Sequence, residues 1–274
     1  MVKYGGLKTS IEEAWCQPAG ADLTDWVTSI EEALALLDRG EIRVAEKSGG
    51  LWVVNDWVQK AILLYFRVRD MKPSEAGELR FRDKIPVKTD LASQEIRVVP
   101  PGTARYGSFL APGCVLMPGY VNIGAYVGAG TMIDTWATVG TGAQIGSNVH
   151  IAGGAGIGGV LEPVQSRPVI IEDGVFVGSR CIVVEGAIIE EGAVLGAGCV
   201  ITASSPIIDV RGEDPVIMKG LVPAGTVAIP GTWPRQFPAG EFHTACVLII
   251  GKRQASTDRK TKINEILREF PLEL

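Results

Sequence analysis

The sequence predicts a mainly β chain whose centre is a solenoid of hexapeptides, flanked by an α-rich N-terminal domain and a short α/β C-terminal cap. Three observations predict it. An aliphatic residue returns every six positions through the middle of the chain, glycine is in excess at 34 of 274 residues, and helix signals are confined to the two ends. Glycine averages about 7% in globular chains, so the excess needs a structural cause.

Residues 1–102 carry the first helix signals. Ser29 can cap IEEALALLD with Glu32 at the capping-box position, and Asn55 or Asp56 can start DWVQKAILLYFRV. Between them EIRVAEK reads as a strand. Residues 103–232 hold the repeat. The aliphatic residue recurs at Val115, Val121, Val127, Ile133, Val139, Ile145, Ile151 and Ile157, and again at Ile171, Val177, Val183, Ile189, Leu195 and Ile201. Four positions after most of these stands a small or modest residue, such as Gly119, Ala125, Ala137, Ala143, Ala155, Cys181 and Cys199. Three hexads per triangular coil would stack residues 18 apart at the strand spacing of about 4.8 Å, with Val115, Ile133 and Ile151 in one column. Glycine then relieves crowding at the corners.

The interval from Ile157 to Ile171 is two hexads plus two residues, so 158–168 (GGVLEPVQSRP) cannot stay in register and is expected to be expelled as a functional loop. Residues 233–274 form the cap, with a strand at TACVLII and a helix at KTKINEILREF. The flanking segments cover strand edges that would otherwise be unpaired.

Composition narrows the function. Hydrophobic residues make up 46%, charged residues 21% and the net charge is −5, which excludes a disordered or collagen-like chain and argues against a nucleic-acid surface. No apolar run approaches the roughly 20 residues that span a bilayer, and Glu12, Glu13, Asp22 and Asp25 fall where a leader would be apolar. No membrane contact and a cytoplasmic location are expected. The five cysteines show no paired spacing, and those in the hexads, Cys181 and Cys199 18 residues apart, read as buried fillers rather than reactive thiols.

The hexads resemble the left-handed parallel β-helix acyltransferases. The stretch MPGYVNIGAYVGAGTMIDTWATVGTGAQIGSNVHIAGGAGIGGVLEP, with RVAEK, RVVPP, VVEG and VPAG elsewhere, is most similar to the tetrahydrodipicolinate N-succinyltransferases. The left hand of the coil is implied by that resemblance alone, since parallel crossovers are ordinarily right-handed. The resemblance also implies transfer of succinyl from succinyl-CoA to the amine of ring-opened tetrahydrodipicolinate (L-2-amino-6-oxoheptanedioate) in lysine and diaminopimelate biosynthesis. It further implies a homotrimer with active sites between subunits, and no metal or permanently bound cofactor.

Attack on a thioester needs a neutral amine, so a site must hold the ammonium and help remove a proton. Asp134, in MIDTWATVG, matches the family's substrate-binding aspartate; its bland alternative is a turn-stabilising corner residue. Glu185, in VVEG, is paired with that aspartate across the subunit cleft by the resemblance, against the alternative of a solvated glutamate. Arg97 matches the family's arginine for a substrate carboxylate, which a guanidinium binds bidentately; the alternative is a surface ion pair. Gly153 and Gly154 can bring backbone amides to the pantetheine arm or thioester oxygen, or simply turn corners. Lys252, Arg253 and Lys260 belong to a basic stretch suited to CoA phosphates, or to a solvated helix face. His150 is read as a bystander, because the family likeness gives the amine to carboxylates.

Three other functions compete. An acetyltransferase acting on the same acceptor would differ in donor. A zinc enzyme of the carbonic anhydrase type needs three histidine ligands, while the chain has only His150 and His243. A non-catalytic scaffold would release no CoA.

Overall fold

Hexads of this sequence close three to a coil. In the computed structural model, which describes residues 4–164 and 166–254, three parallel sheets run side by side and each collects every third strand. The first wall carries Arg97–Val98, Val115–Leu116, Met132–Ile133, His150–Ile151, Phe176–Val177 and Val194–Leu195. The second runs from Thr103–Ala104 to Val200–Ile201, and the third from Phe109–Leu110 to Leu221–Val222. In each two-residue strand after Arg97–Val98 the second side chain is buried inside the prism, so Val121, Val127, Ile133, Val139, Ile145 and Ile151 form a closed apolar core. The cysteines at 114, 181 and 199 lie in that core too.

Column register follows the 18-residue rule with one correction. Val139 stands opposite Val121 and Ile157, but Ile133 stands opposite Leu116 rather than Val115. Val115 therefore faces outward. The cause is a corner one residue short at Met117–Pro118–Gly119. A Cβ on Gly119 would meet Ile133, Leu116 and the Ala137 carbonyl at 2.8–2.9 Å, so only glycine passes there.

The expelled loop is present, with different arithmetic. Ile171 pairs with Ile145, 26 residues away, so the interval contains one hexad with eight extra residues rather than two hexads and two.

Three helices, α1 (Gly5–Trp15), α2 (Val27–Asp38) and α3 (Asp56–Val68), build a second apolar core around Ile11, Ile30, Leu34 and Ile62, to which the prism adds Ile123. α2 begins at Val27 and not after Ser29. A 3-10 turn at Thr24–Trp26, anchored by Asp22 Oδ1 accepting from Thr24 N, starts it earlier, and the Ser29 hydroxyl is taken by Ser10. Asn55 precedes α3, but its amide donates to the Arg43 carbonyl instead of capping the helix. The predicted EIRVAEK strand is shorter: Ala45–Ser48 pairs with Leu51–Val54 as a hairpin.

These segments lie on the third wall. The Arg43 guanidinium sits 3.6 Å above the Tyr126 ring and its Nε donates to Gln144 Oε1 at 2.8 Å. Lys88, with a side chain only 2% exposed, pairs with Asp38 at 2.8 Å and ties the end of α2 to the prism base. At the far end a hairpin of Thr226–Phe237 and Gly240–Lys252 extends the first wall. The predicted helix KTKINEILREF lies outside the described residues.

Candidate functional site

The corner after Met132–Ile133 joins the first wall to the second and carries Asp134. Its Oδ1 accepts from Thr135 N at 2.7 Å and from Thr135 Oγ1 at 3.1 Å. Asn122 does the same at another corner, its Oδ1 accepting from Ile123 N at 2.9 Å. Oδ1 thus serves the turn, while Oδ2 lies 3.8 Å from His150 Nε2. The side chains are 17% and 25% exposed, so both are partly desolvated yet reachable.

Sequence reasoning passed over His150. The prism brings it in because Met132 and His150 are register partners 18 residues apart, with Asp134 two residues beyond Met132. The imidazole is held by the next coil, its ring stacked on Phe176 at 5.1 Å between centroids and 5° between planes.

Gly153 and Gly154 occupy the same corner one coil on. Gly154 N donates to the Thr135 carbonyl at 2.8 Å, so that amide is already engaged. Gly154 has φ +67, and a Cβ there would lie 2.8 Å from Nε of Arg180, whose side chain crosses it. Arg180 is a second residue that sequence reasoning missed; its cationic side chain beside the Asp134 corner follows from the 26-residue spacing across the expelled loop. Arg97 is exposed on the first wall in the outward column Arg97, Val115, Met132, His150. Two strand spacings separate it from the Asp134 coil, roughly 10 Å.

Glu185 is brought to a different place. It is exposed, with φ +56, at the opposite edge of the second wall, so a full wall separates it from Asp134 within one chain. Around it the expelled loop forms a groove of about 550 Å³ lined by Glu162, Pro163, Ser166, Arg167 and Gly186. The loop is anchored from two sides: Gln59 of α3 donates to the Ser166 carbonyl at 3.0 Å, and Arg167 Nε to the Gly186 carbonyl at 2.9 Å.

Of the basic candidates, Lys252 is exposed in a groove with Asp209, Arg211 and Asp214. The Arg253 guanidinium donates to the Gly174 and Gly192 carbonyls, and its N–H to the Gly225 carbonyl, stapling three successive coils. Lys260 lies outside the described residues.

Comparison with known proteins bears on this arrangement. A profile described as tetrahydrodipicolinate N-succinyltransferase N-terminal matches residues 6–68. Profiles for the bacterial transferase hexapeptide and for the hexapeptide repeat of succinyl-transferase match 124–159 and 168–203. A 2,3,4,5-tetrahydropyridine-2,6-dicarboxylate N-succinyltransferase of Ehrlichia ruminantium is 47% identical over 98% of both chains. One from an Azoarcus species is 54% identical, covering 88% of this chain and 89% of its own. One from Coxiella burnetii is 47% identical over 96% and 98%.

Proposed function

The chain belongs to the 2,3,4,5-tetrahydropyridine-2,6-dicarboxylate N-succinyltransferases, and from that premise we propose how its residues move succinyl from succinyl-CoA to the amine of ring-opened tetrahydrodipicolinate. The observation that carries the reading is the division of labour at Asp134: Oδ1 is consumed by its own turn while Oδ2 faces an accessible corner. There it binds the substrate ammonium and withdraws a proton as nitrogen attacks the thioester carbon. Collapse of the tetrahedral intermediate expels the CoA thiolate. Arg97, on the same wall, takes a substrate carboxylate through its planar fork. Lys252 meets a CoA phosphate.

Glu185 supplies the second carboxylate, and it reaches Asp134 from a neighbouring copy. The second wall supports this assembly. Its outward column, Tyr120, Thr138, Gly156, Ile182 and Val200, contains no charge, and Ile182 and Val200 are 38% and 48% exposed. Asp134 and Glu185 edge that wall on opposite sides. Three copies meeting through it around a threefold axis set the Asp134 edge of one against the Glu185 edge of the next. The coil is left-handed, and the 158–168 loop closes over CoA beside Glu185.

Release of CoA thiol with succinyl-CoA and the ring-opened acceptor tests the activity directly. Turnover with succinyl-CoA well above that with acetyl-CoA is expected. Faster turnover with acetyl-CoA would establish the acetyltransferase alternative, and no thiol with either donor would establish a scaffold.

A further inference from the structure

A proton taken from an ammonium must come to rest somewhere, and a lone carboxylate holds it poorly. An imidazole is a stronger base in water than a carboxylate, so a ring beside a carboxylate can take over a proton that arrives there. The geometry points to His150 as the positioning and proton-accepting partner of Asp134. This rests on the reading that Asp134 contacts the amine.

Four features of the site support it. His150 Nε2 is 3.8 Å from Asp134 Oδ2, the oxygen left over by the turn, so closing by about 1 Å makes a hydrogen bond. The approach direction is fixed, because the ring is clamped flat on Phe176. Neighbouring strands on that wall present Met132 on one side and Phe176 on the other, with the Asp134 carboxylate beside the ring, Arg97 farther along the same outward column and Arg180 across Gly154 one coil on. Finally, the imidazole is 25% exposed, which gives the proton a route to solvent.

The reaction balances through this pair. The ammonium nitrogen sheds two protons in all. The first passes to Asp134 Oδ2 and on to His150 Nε2, which releases it to water. The nitrogen lone pair forms the C–N bond, the C–S pair leaves on sulfur, and the second nitrogen proton ends on that sulfur as CoA thiol. His150 acts through Asp134 and touches no substrate atom.

Two variants test it, His150→Ala and His150→Phe, the second keeping a ring on Phe176. Both are expected to lose kcat by about 10²-fold, with KM for both substrates within threefold of wild type. Added imidazole is expected to restore His150→Ala and not His150→Phe, and substituted imidazoles to do so in order of basicity. A kcat for His150→Phe less than tenfold below wild type would show the ring to be a spacer and overturn the inference, as would failure of imidazole to restore a folded His150→Ala. Should His150→Ala not fold, the kcat of His150→Phe decides by the same tenfold mark. Asp134→Asn separates this inference from its premise. If Asp134→Asn keeps its activity, the premise fails; if it is inactive while His150→Phe turns over normally, only the role of His150 fails.

Discussion

At Asp134 the turn bond through Oδ1 and the proposed chemistry through Oδ2 are separable by mutation. Asp134→Asn retains an oxygen for Thr135 N, so the corner survives. The variant is expected to melt within about 2 °C of wild type and to lose kcat by about 10²- to 10⁴-fold in the thiol-release assay. The cysteines show the opposite case, side chains whose chemistry is suppressed by position. Burial pushes the Cys114 thiol up to about 11. The neighbouring Cys181 sulfur, and then burial, raise Cys199, and burial raises Cys246; Cys181 itself is lowered by its hydrogen bond with Cys199 but is sealed in the core, fully buried. Cys16 is exposed. An aromatic disulfide reagent at pH 8 is therefore expected to titrate one thiol in the native protein and all five in denaturant. Two or more fast thiols in the native state would contradict the packing.

Between elements, the hairpin of residues 45–54 is latched to the prism by Glu172, whose Oε1 accepts from Lys47 Nζ and Trp52 Nε1, each at 2.8 Å. Burial tends to raise this carboxyl, but Lys47, Trp52 and the Glu191 N–H outweigh it and hold it below its ordinary 4.5. A carboxyl depressed in the folded state stabilises the fold above its unfolded-state value, and that contribution is lost as pH falls through the folded value. Glu172→Gln is accordingly expected to cost about 1–3 kcal/mol at pH 7, with the gap to wild type closing progressively below about pH 4.5 in urea titrations. A gap that widens with acid would reverse the sign and refute the latch. The 158–168 loop makes a complementary test. Its insertion leaves both flanking hexads in register, so a short linker between Ile157 and Val169 is expected to preserve the circular dichroism of the prism. Catalysis falls at least tenfold if the loop closes over CoA, and unchanged kinetics would remove it from the site.

For the molecule as a whole, the uncharged second wall predicts assembly. Light scattering is expected to give about 87 kDa, three times the 29.1 kDa chain. Ile182→Arg combined with Val200→Arg places two cations on that wall and is expected to yield monomers, which the proposed sharing of each site between two chains would leave without turnover. A fully active monomer would refute the shared site.

What the amino-acid sequence determined by itself is the repeating core. A six-residue period is a local property, and each hexad places one aliphatic side chain inward whatever its neighbours do, so the buried ladder, the interruption after Ile157 and the helices α2 and α3 were legible, whereas α1 carried no capping signal and was not read. Departures from the pattern were decided by packing. The inward turn of Leu116 in place of Val115 depends on how tightly Gly119 can pass Ile133. The start of α2 at Val27 depends on Ser10 claiming the hydroxyl of Ser29. The candidate site was legible only in part, because Asp134, Glu185 and Arg97 lie in motifs, whereas partnership belongs to the tertiary structure. Only the stacking of coils sets His150 beside Asp134, lays Arg180 across Gly154 and commits Arg253 to glycine carbonyls. Those contacts join residues 16, 26 and up to 79 positions apart, and their distances are fixed by the strand spacing of a closed prism rather than by any run of neighbouring residues.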